Sequence, residues 1–269
     1  MTAVAPLGIP ATPWLDLAFE ASQIRVDVPD LPELRRVAQR TWIGRMVNEH
    51  ASGRVFDQLA EQLAIAGAGA SRVKACREFA AEERHHGALC AAVACALGAE
   101  PRAVARASGL LPTHADAASQ VEATLRNLLS ISCMSETIAV TIITAEREQM
   151  PEGDAKRVLS KILADEIGHA RFGWGFAAEA VPTLDDAAKA RTSRYLEVAF
   201  AHVEQHELAH LPDTGAPPEG AEAVGVCSGR EARALFYDTI EEVVVPRLEA
   251  MGLAAGRAWQ RRRRAPAMA

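Results

Sequence analysis

The chain has 269 residues, 49% of them hydrophobic and 24% charged, which is the balance of an ordinary globular protein with a sizeable core. Its net charge of −6 gives no general attraction to nucleic acid or to an anionic membrane, and no apolar run reaches the roughly 18 residues of a membrane span. The N-terminus lacks a secretory signal, and the five cysteines, without a Cys-x-x-Cys pair, are predicted to be reduced core residues. We therefore expect a cytoplasmic protein without a membrane or nucleic-acid partner.

Helical periodicity, together with the positions of glycine and proline, predicts an all-α fold. Residues 1–31 are predicted to form an N-terminal arm with a short amphipathic helix over residues 14–25. The longer predicted helices cover residues 32–66, 71–97, 116–148, 151–181, 184–210 and 229–260. No strand-like alternation of any length interrupts this pattern.

The connection at residues 99–115 is long for neighbouring helices and includes a candidate short helix at residues 102–107. Such a link is what a bundle needs to cross from one helix pair to the other. We therefore predict a four-helix bundle over residues 32–181, with the helices of residues 182–269 packed on it in the same domain. The run Arg261-Arg262-Arg263-Arg264 is interpreted as a solvated tail.

Two segments carry the same pattern, an acid followed by Glu-x-x-His: Glu82-Glu83-Arg84-His85-His86 and Asp165-Glu166-Ile167-Gly168-His169. Residues three apart lie on one face of a helix, so the Glu and the His of each motif can reach one metal ion. A further glutamate precedes each motif Glu by one helix-turn-helix return, Glu49 by 34 residues and Glu136 by 30. The doubled spacing predicts six metal ligands at one level of the bundle: Glu49, Glu83, His86, Glu136, Glu166 and His169.

The apolar surroundings of these glutamates support the same interpretation, because a buried carboxylate without a partner is costly. Taken alone, Glu49 or Glu136 is better interpreted as a solvent-facing residue of an amphipathic helix. Four glutamates at matched depth, two of them with histidine partners, favour a metal site. A register in which Glu82 and His85 act in place of Glu83 and His86 stays open, although the second motif favours the later register.

The paired motifs resemble those of the ferritin-like di-iron carboxylate superfamily, which includes ferritins, rubrerythrins and several bacterial oxygenases. The resemblance covers about residues 35–180 and implies a bundle that holds two iron ions, or a manganese–iron pair. It also implies a ligand assignment: Glu83 and Glu166 bridge the two ions, Glu49 and His86 complete one of them, and Glu136 and His169 complete the other.

By the same resemblance, Glu82 and Asp165 accept a hydrogen bond from the free ring nitrogen of the opposite motif's histidine. Individual branches of the superfamily fit less well. Arginine often precedes the second motif's histidine in the oxygenase and reductase branches, whereas this chain has His85 and Gly168 before its two motif histidines. Arylamine N-oxygenases have an extra histidine where this chain has Ile162. The motifs therefore indicate the superfamily and not a branch.

A third group of polar residues lies near the end of the helix at 184–210. His202, His206 and His210 form an i, i+4, i+8 row, which could bind metal but is interpreted as a polar outer face because acidic and amide side chains interleave. Glu207 and Glu179 stand near helix ends, away from the middle of the bundle. They are interpreted as surface residues.

Mostly small residues within about a turn of the ligands predict a cavity lined by Gly53, Cys90, Cys133, Val140 and Gly173. Close helix packing is the competing interpretation of each glycine. A cavity suits an organic substrate or O2, so the favoured function is an O2-activating di-iron oxidase or oxygenase that hydroxylates, desaturates or N-oxygenates a small molecule. An external ferredoxin or reductase would supply electrons, since no flavin or nicotinamide fingerprint is present. A ferritin- or rubrerythrin-like iron protein and a non-catalytic scaffold are the alternatives, and a homodimer is compatible with either.

Overall fold

Helices build most of the part of the chain that this computed structural model describes, namely residues 14–106, 109–211 and 216–262. Residues 1–13 of the predicted arm, and Arg263 and Arg264, lie outside the described residues. The elements in chain order are β1 (Trp14–Asp16), α1 (Ala18–Ser22), α2 (Pro32–Ile65), α3 (Ala70–Ala96), β2 (Arg102–Val104), α4 (Gln120–Leu128), a π-helical turn (Leu129–Ser135), α5 (Glu136–Gln149), α6 (Asp154–Ala180), a 3-10 turn (Val181–Thr183), α7 (Asp186–His210), a 3-10 turn (Ala221–Val224), α8 (Gly229–Thr239), a second π-helical turn (Ile240–Val244), α9 (Val245–Ala250) and α10 (Ala255–Arg261).

Two helical hairpins form the central bundle, and the predicted all-α, ferritin-like fold is confirmed. Helix α2 pairs with α3, while α4 and α5 form one continuous run that pairs with α6. The run begins after Ser119, whose Oγ accepts a hydrogen bond from the Glu122 N–H at 3.1 Å. Apolar side chains at helical spacing fill the centre on α2: Leu34, Ala38, Trp42, Met46, Phe56, Leu59 and Leu63.

The π-helical turn Leu129–Ser135 is a feature that the sequence did not predict. It lies directly before Glu136 and faces α6 at Gly173. A Cβ atom at Gly173 would lie only 2.9 Å from the backbone carbonyl carbon of Ser132, so the missing side chain is what lets the two segments approach. A π turn holds one residue more than a regular turn and changes the direction of the side chains that follow it.

The connection between the two hairpins contains a strand where a short helix was predicted. Residues Arg102–Val104 form β2, which pairs antiparallel with β1 in the register Trp14↔Val104. The helix predicted over residues 14–25 is correspondingly shorter, since α1 covers Ala18–Ser22 alone. The two short strands tie the described part of the N-terminal arm to the long connection.

The C-terminal helices pack against the bundle through α7. On α7, Arg191 donates to Glu122 Oε2 of α4 at 2.8 Å, and α10 packs along the same helix. Arg262 follows α10, is 9% exposed, and donates from Nε and Nη2 to the Glu204 carboxylate at 2.9 Å. Its assignment to a solvated tail was therefore wrong, because an ion pair to α7 draws this arginine into the structure.

The run from Gln120 to Gln149 has the length and composition of a membrane span. An 18-residue window reaches a mean hydropathy of 1.7, and 44% of that window is buried in the structure. We predicted that no apolar run reaches the length of a span; this segment still passes by mean hydropathy, because serine and threonine interrupt its apolar residues at little cost in hydropathy. A central helix of a bundle has the same composition, so this property alone does not place the chain in a membrane.

The contact at Gly173 generates a stability prediction with a control on the same helix. Gly173→Ala forces a methyl group into the backbone of the π turn and should lower the free energy of unfolding by about 1–3 kcal/mol. Gly175 is exposed and has open space where its Cβ would lie. Gly175→Ala should therefore raise the free energy of unfolding by about 0.5–1 kcal/mol. Urea denaturation followed by circular dichroism measures both changes, and equal effects of the two variants would contradict the packing described.

Candidate metal centre

The structure brings the six predicted ligand residues together at the middle of the bundle. They come from four helices: Glu49 from α2, Glu83 and His86 from α3, Glu136 from α5, and Glu166 and His169 from α6. His85 lies on the exposed side of α3, so the register of Glu83 and His86 is the one that faces the centre.

These residues divide into two overlapping groups, each of which could hold one metal ion. The first group is Glu49, Glu83, His86 and Glu166, and the second is Glu83, Glu136, Glu166 and His169. Within each group the ligand atoms all lie within 4.8 Å of one another. Glu83 and Glu166 belong to both groups, which is the placement that bridging carboxylates need.

Both histidines direct Nδ1 at the carboxylates. His86 Nδ1 lies 3.2 Å from Glu166 Oε1 and 3.5 Å from Glu49 Oε2. His169 Nδ1 lies 2.9 Å from Glu166 Oε2 and 3.2 Å from Glu83 Oε1. The arrangement is therefore nearly symmetric about the pair Glu83 and Glu166.

The other ring nitrogen of each histidine meets an acid from the opposite motif. His86 Nε2 lies 2.9 Å from Asp165 Oδ2, and His169 Nε2 lies 2.9 Å from Glu82 Oε2. With the proton on Nε2 donated to these acids, the Nδ1 lone pair of each ring faces the centre. Lys161 also pairs with Asp165 and so holds that carboxylate in place.

Burial makes this cluster of charges costly without cations. Glu83, Glu166, His86 and His169 are at most 2% exposed, and Glu136 is 8% exposed. Burial, together with the nearby Glu166 carboxylate, raises the pKa of both Glu83 and Glu136 well above the ordinary range. Burial alone would lower the pKa of His86, but the neighbouring Glu166 and Glu49 carboxylates outweigh it and raise that pKa to about 11. The metal-free cluster therefore holds extra protons.

The residues fit a pair of divalent metal ions. His86 Nδ1 is buried and lacks a hydrogen bond of good geometry to any described residue, as expected of a lone pair kept for a metal. Four carboxylates balance the charge of two divalent ions, and their hard oxygen donors with few nitrogens suit iron or manganese. Two metal ions would displace the extra protons and relieve the repulsion between Glu83 and Glu166.

Phenylalanine rings close the side of the centre next to His169. The rings of Phe56 and Phe79 lie 5.0 and 4.5 Å from the His169 ring, measured between centroids. They restrict the orientation of His169 and keep water away from it. Sequence reasoning did not assign them to the site, although Phe56 follows Glu49 by two helical turns on the same face.

A cavity of about 750 Å³ opens beside the centre, but its walls are not the predicted ones. It lies between α2 and α5, and Glu49, Glu83, Glu136 and Glu166 all contribute to its lining. The lining of this cavity does not include the residues predicted to line one: Gly53, Cys90, Cys133, Val140 and Gly173. Small residues here mark close contact between helices, since a Cβ at Gly53 would lie 2.8 Å from the Ala80 carbonyl oxygen.

The end of α7 and the residues after it cover this cavity from outside. His206, Glu207 and His210 line it, together with residues 216–218 and 226–229. The interpretation of His206 and Glu207 as outer-surface residues was therefore wrong, because both side chains line the cavity. Glu179 does lie at the surface, where it pairs with Arg72.

No protein-family model matches the chain, and no curated protein matches it. A solved structure that resembles it is described as protein 19 with aldehyde deformylating oxidase activity from Synechococcus. The two chains share 16% sequence identity with a TM-score of 0.58, over 87% of this chain and 98% of the other. At this identity the likeness shows the fold alone, and the named activity is that of the Synechococcus protein.

The cluster predicts that the chain binds about two ferrous ions under anaerobic conditions. The double variant Glu83→Ala with Glu166→Ala removes both shared carboxylates, so its iron content should fall to near zero. Glu179→Ala, which removes an exposed acid from the surface, is the control and should retain the full amount. Elemental analysis after gel filtration gives the ratio. A wild-type ratio near zero would show that the cluster is not a metal site.

Asp165 should influence metal retention through His86 without contacting the metal. Asp165→Ala removes the acceptor for Nε2 and should weaken iron retention by about 10–100-fold in competition with a chelator. Asp165→Asn keeps an acceptor oxygen, so it should restore much of that loss. Asp57→Ala, at an exposed ion pair with Arg84, is the control. A silent Asp165→Ala, or an Asp165→Asn as weak as the alanine variant, would contradict this role.

Proposed function

We propose that the protein is an O2-activating di-iron oxidase or oxygenase that acts on a small organic substrate. One observation carries the proposal: two overlapping ligand groups share Glu83 and Glu166 and open into a cavity large enough for a small molecule. A packed bundle without that space would suit iron oxidation for storage equally well. The oxidase activity named for the Synechococcus protein of similar fold supports the same kind of chemistry.

The residues of the chain divide the work among binding, orientation and exclusion of water. Two ferrous ions held by the six ligands would supply the electrons that reduce O2 and the oxidising power for the substrate. Glu82 and Asp165 hold a proton on Nε2 of each histidine, so Nδ1 stays a donor to metal. Glu49 and Glu136 line the cavity and present the open side of the centre to a bound molecule.

The C-terminal part of the chain limits access of water to the centre. Trp42 on α2 donates its indole N–H to the Val224 carbonyl oxygen at 2.9 Å and so fixes the segment that covers the cavity. Gly225 follows with φ of +72°, and a Cβ there would meet the Trp42 ring at 2.8 Å. A covered cavity protects a reactive oxidant from solvent, which an oxidase requires.

We further propose a separate ferredoxin or reductase as the source of electrons.

The reaction of the iron-loaded protein with O2 tests this function. Protein with increasing ratios of ferrous iron is mixed with O2, and oxygen consumption is followed with an electrode while iron oxidation is followed by absorbance. The oxidation should saturate at about two iron ions per chain, because the cluster has two overlapping groups of ligands, each of which could hold one ion. The double variant Glu83→Ala with Glu166→Ala should show only the background rate.

Two results would move the assignment elsewhere. Continued oxidation of many iron ions per chain into a soluble mineral would indicate storage. Rapid consumption of hydrogen peroxide with little reaction toward O2 would indicate a peroxide-scavenging iron protein of the rubrerythrin type.

A further inference from the structure

The cavity beside the metal centre has a second, shallower neighbour of about 620 Å³. Both cavities are lined by Arg40, Gly44, Asn48 and His210, so these residues mark where the two meet. The shallower cavity is therefore the approach to the deeper one. A molecule that reaches the metal centre by this path passes the side chains at the junction.

Arg106 stands at this junction and is held there by an amide and two imidazole side chains. Its Nη1 lies 2.9 Å from Asn48 Oδ1 and 2.9 Å from His210 Nε2, while Nη2 lies 3.3 Å from His206 Nδ1. Burial and the charge of Arg106 lower the pKa of His206 to about 4, so its ring is neutral near pH 7 and accepts the hydrogen bond. Asn48 directly precedes Glu49, which places Arg106 close to the first ligand group.

The charges around the cavity favour an anion at this end. Glu146 in the wall is already paired with Arg45 at 2.7 Å. Burial raises the pKa of Glu207 to about 7, so that carboxyl is partly protonated near neutrality. Two divalent ions would balance the charge of the four carboxylate ligands. Arg106 does interact with the Glu207 carboxyl through its charge, but neither Arg40 nor Arg106 forms a salt bridge with a described carboxylate that lines these cavities.

The opposite wall of the cavity is apolar. Ala139, Ile142 and Ile143 on α5 continue from Glu136 along the cavity, and Val226 faces it from the covering segment. The deeper cavity therefore borders the metal centre and an apolar wall, and it meets the shallower cavity at the cationic junction. A long aliphatic chain would have to place its apolar end among arginine and histidine side chains, whereas a small acid matches each part.

We propose that the cavity selects a small organic acid, with its carboxylate bound by Arg106 and its apolar body along α5 toward the metal centre. This inference rests on the proposed oxidase function and names the substrate class of the same site. The planar guanidinium fork suits a carboxylate, and the amide and imidazole groups that hold Arg106 orient it without a salt bridge.

Matched probes of one carbon skeleton test the inference: hexanoate, hexanamide and hexan-1-ol. Their binding to anaerobic iron-loaded protein and to metal-free protein is measured by isothermal titration calorimetry. Hexanoate should bind at least about 10-fold more tightly than hexanamide or hexan-1-ol in both forms. Arg106→Gln should weaken hexanoate binding by about 10–100-fold and leave hexanamide unchanged, since it removes one charge-assisted contact. Arg106→Lys keeps the charge and should recover part of the affinity.

Arg72→Gln, which removes an arginine from an exposed ion pair with Glu179, is the matched control and should not change hexanoate binding. Equal affinity for acid and amide, or an Arg106→Gln variant that binds hexanoate as the wild type does, would overturn the inference. Acetate that binds the iron-loaded protein as tightly as hexanoate, independently of Arg106, would show direct coordination to iron and would also overturn it. Tighter binding of hexyl phosphate than of hexanoate would also overturn the inference, because it would show that the cavity selects a phosphate and not a carboxylate.

The two proposals fail in different ways. Metal content and O2 consumption of the same preparations report on the oxidase function, whereas discrimination between acid and amide in metal-free protein reports on the cavity. A protein that prefers hexanoate but binds no iron would contradict the function alone. A protein that oxidises two ferrous ions but treats acid and amide alike would contradict the substrate class alone.

Discussion

The constraint on which the rest of the structure depends is the mutual repulsion of carboxylates buried at the centre of the bundle. Glu83 and Glu166 are each 2% exposed and belong to both ligand groups. Such groups cannot all be charged away from water unless cations or protons balance them. Two histidines per site reduce the repulsion, and two divalent ions would remove most of it. The helices are therefore assembled around a centre that is unfavourable in its metal-free, fully ionised form, and bound metal ions would help to hold the four helices together.

The direction in which the ligand Glu136 points depends on the helical geometry of the residues just before it. The π turn Leu129–Ser135 comes immediately before Glu136 and rests against α6 at Gly173. An extra residue in one turn rotates everything after it, so the turn sets the face on which Glu136 lies. Without it, a regular helix through the same residues would point this glutamate elsewhere. Analysis of the sequence with a constant period of 3.6 residues did not predict this turn, because that period assumes a regular helix without an added residue.

The difference between local helix spacing and contacts between helices explains which parts of the site could be predicted from the sequence. The doubled Glu-x-x-His spacing is a local property of helices, and the structure places those residues as the spacing suggests. The walls of the cavity depend on which elements pack against each helix, and the spacing of residues along one helix carries no information about those neighbours. Gly53 and Gly173 are small because another backbone lies against them, whereas the cavity opens where α2 and α5 diverge. His206 was assigned to the surface for the same reason, since a polar helix face can turn either to solvent or to a polar cavity.

The C-terminal helices and the segments between them cover the cavity beside the metal centre and so distinguish this bundle from a bare four-helix bundle. A four-helix bundle with six ligands supports storage, peroxide reduction and oxidation alike, so the fold does not choose among them. The end of α7 and the segment fixed by Trp42 cover the divergence of α2 and α5 and turn an open groove into a chamber. That chamber brings Arg106 from a distant connection to within hydrogen-bond distance of Asn48, next to the ligand Glu49. Under the proposed function, elements outside the bundle would supply specificity, while the bundle itself would supply the reactive centre.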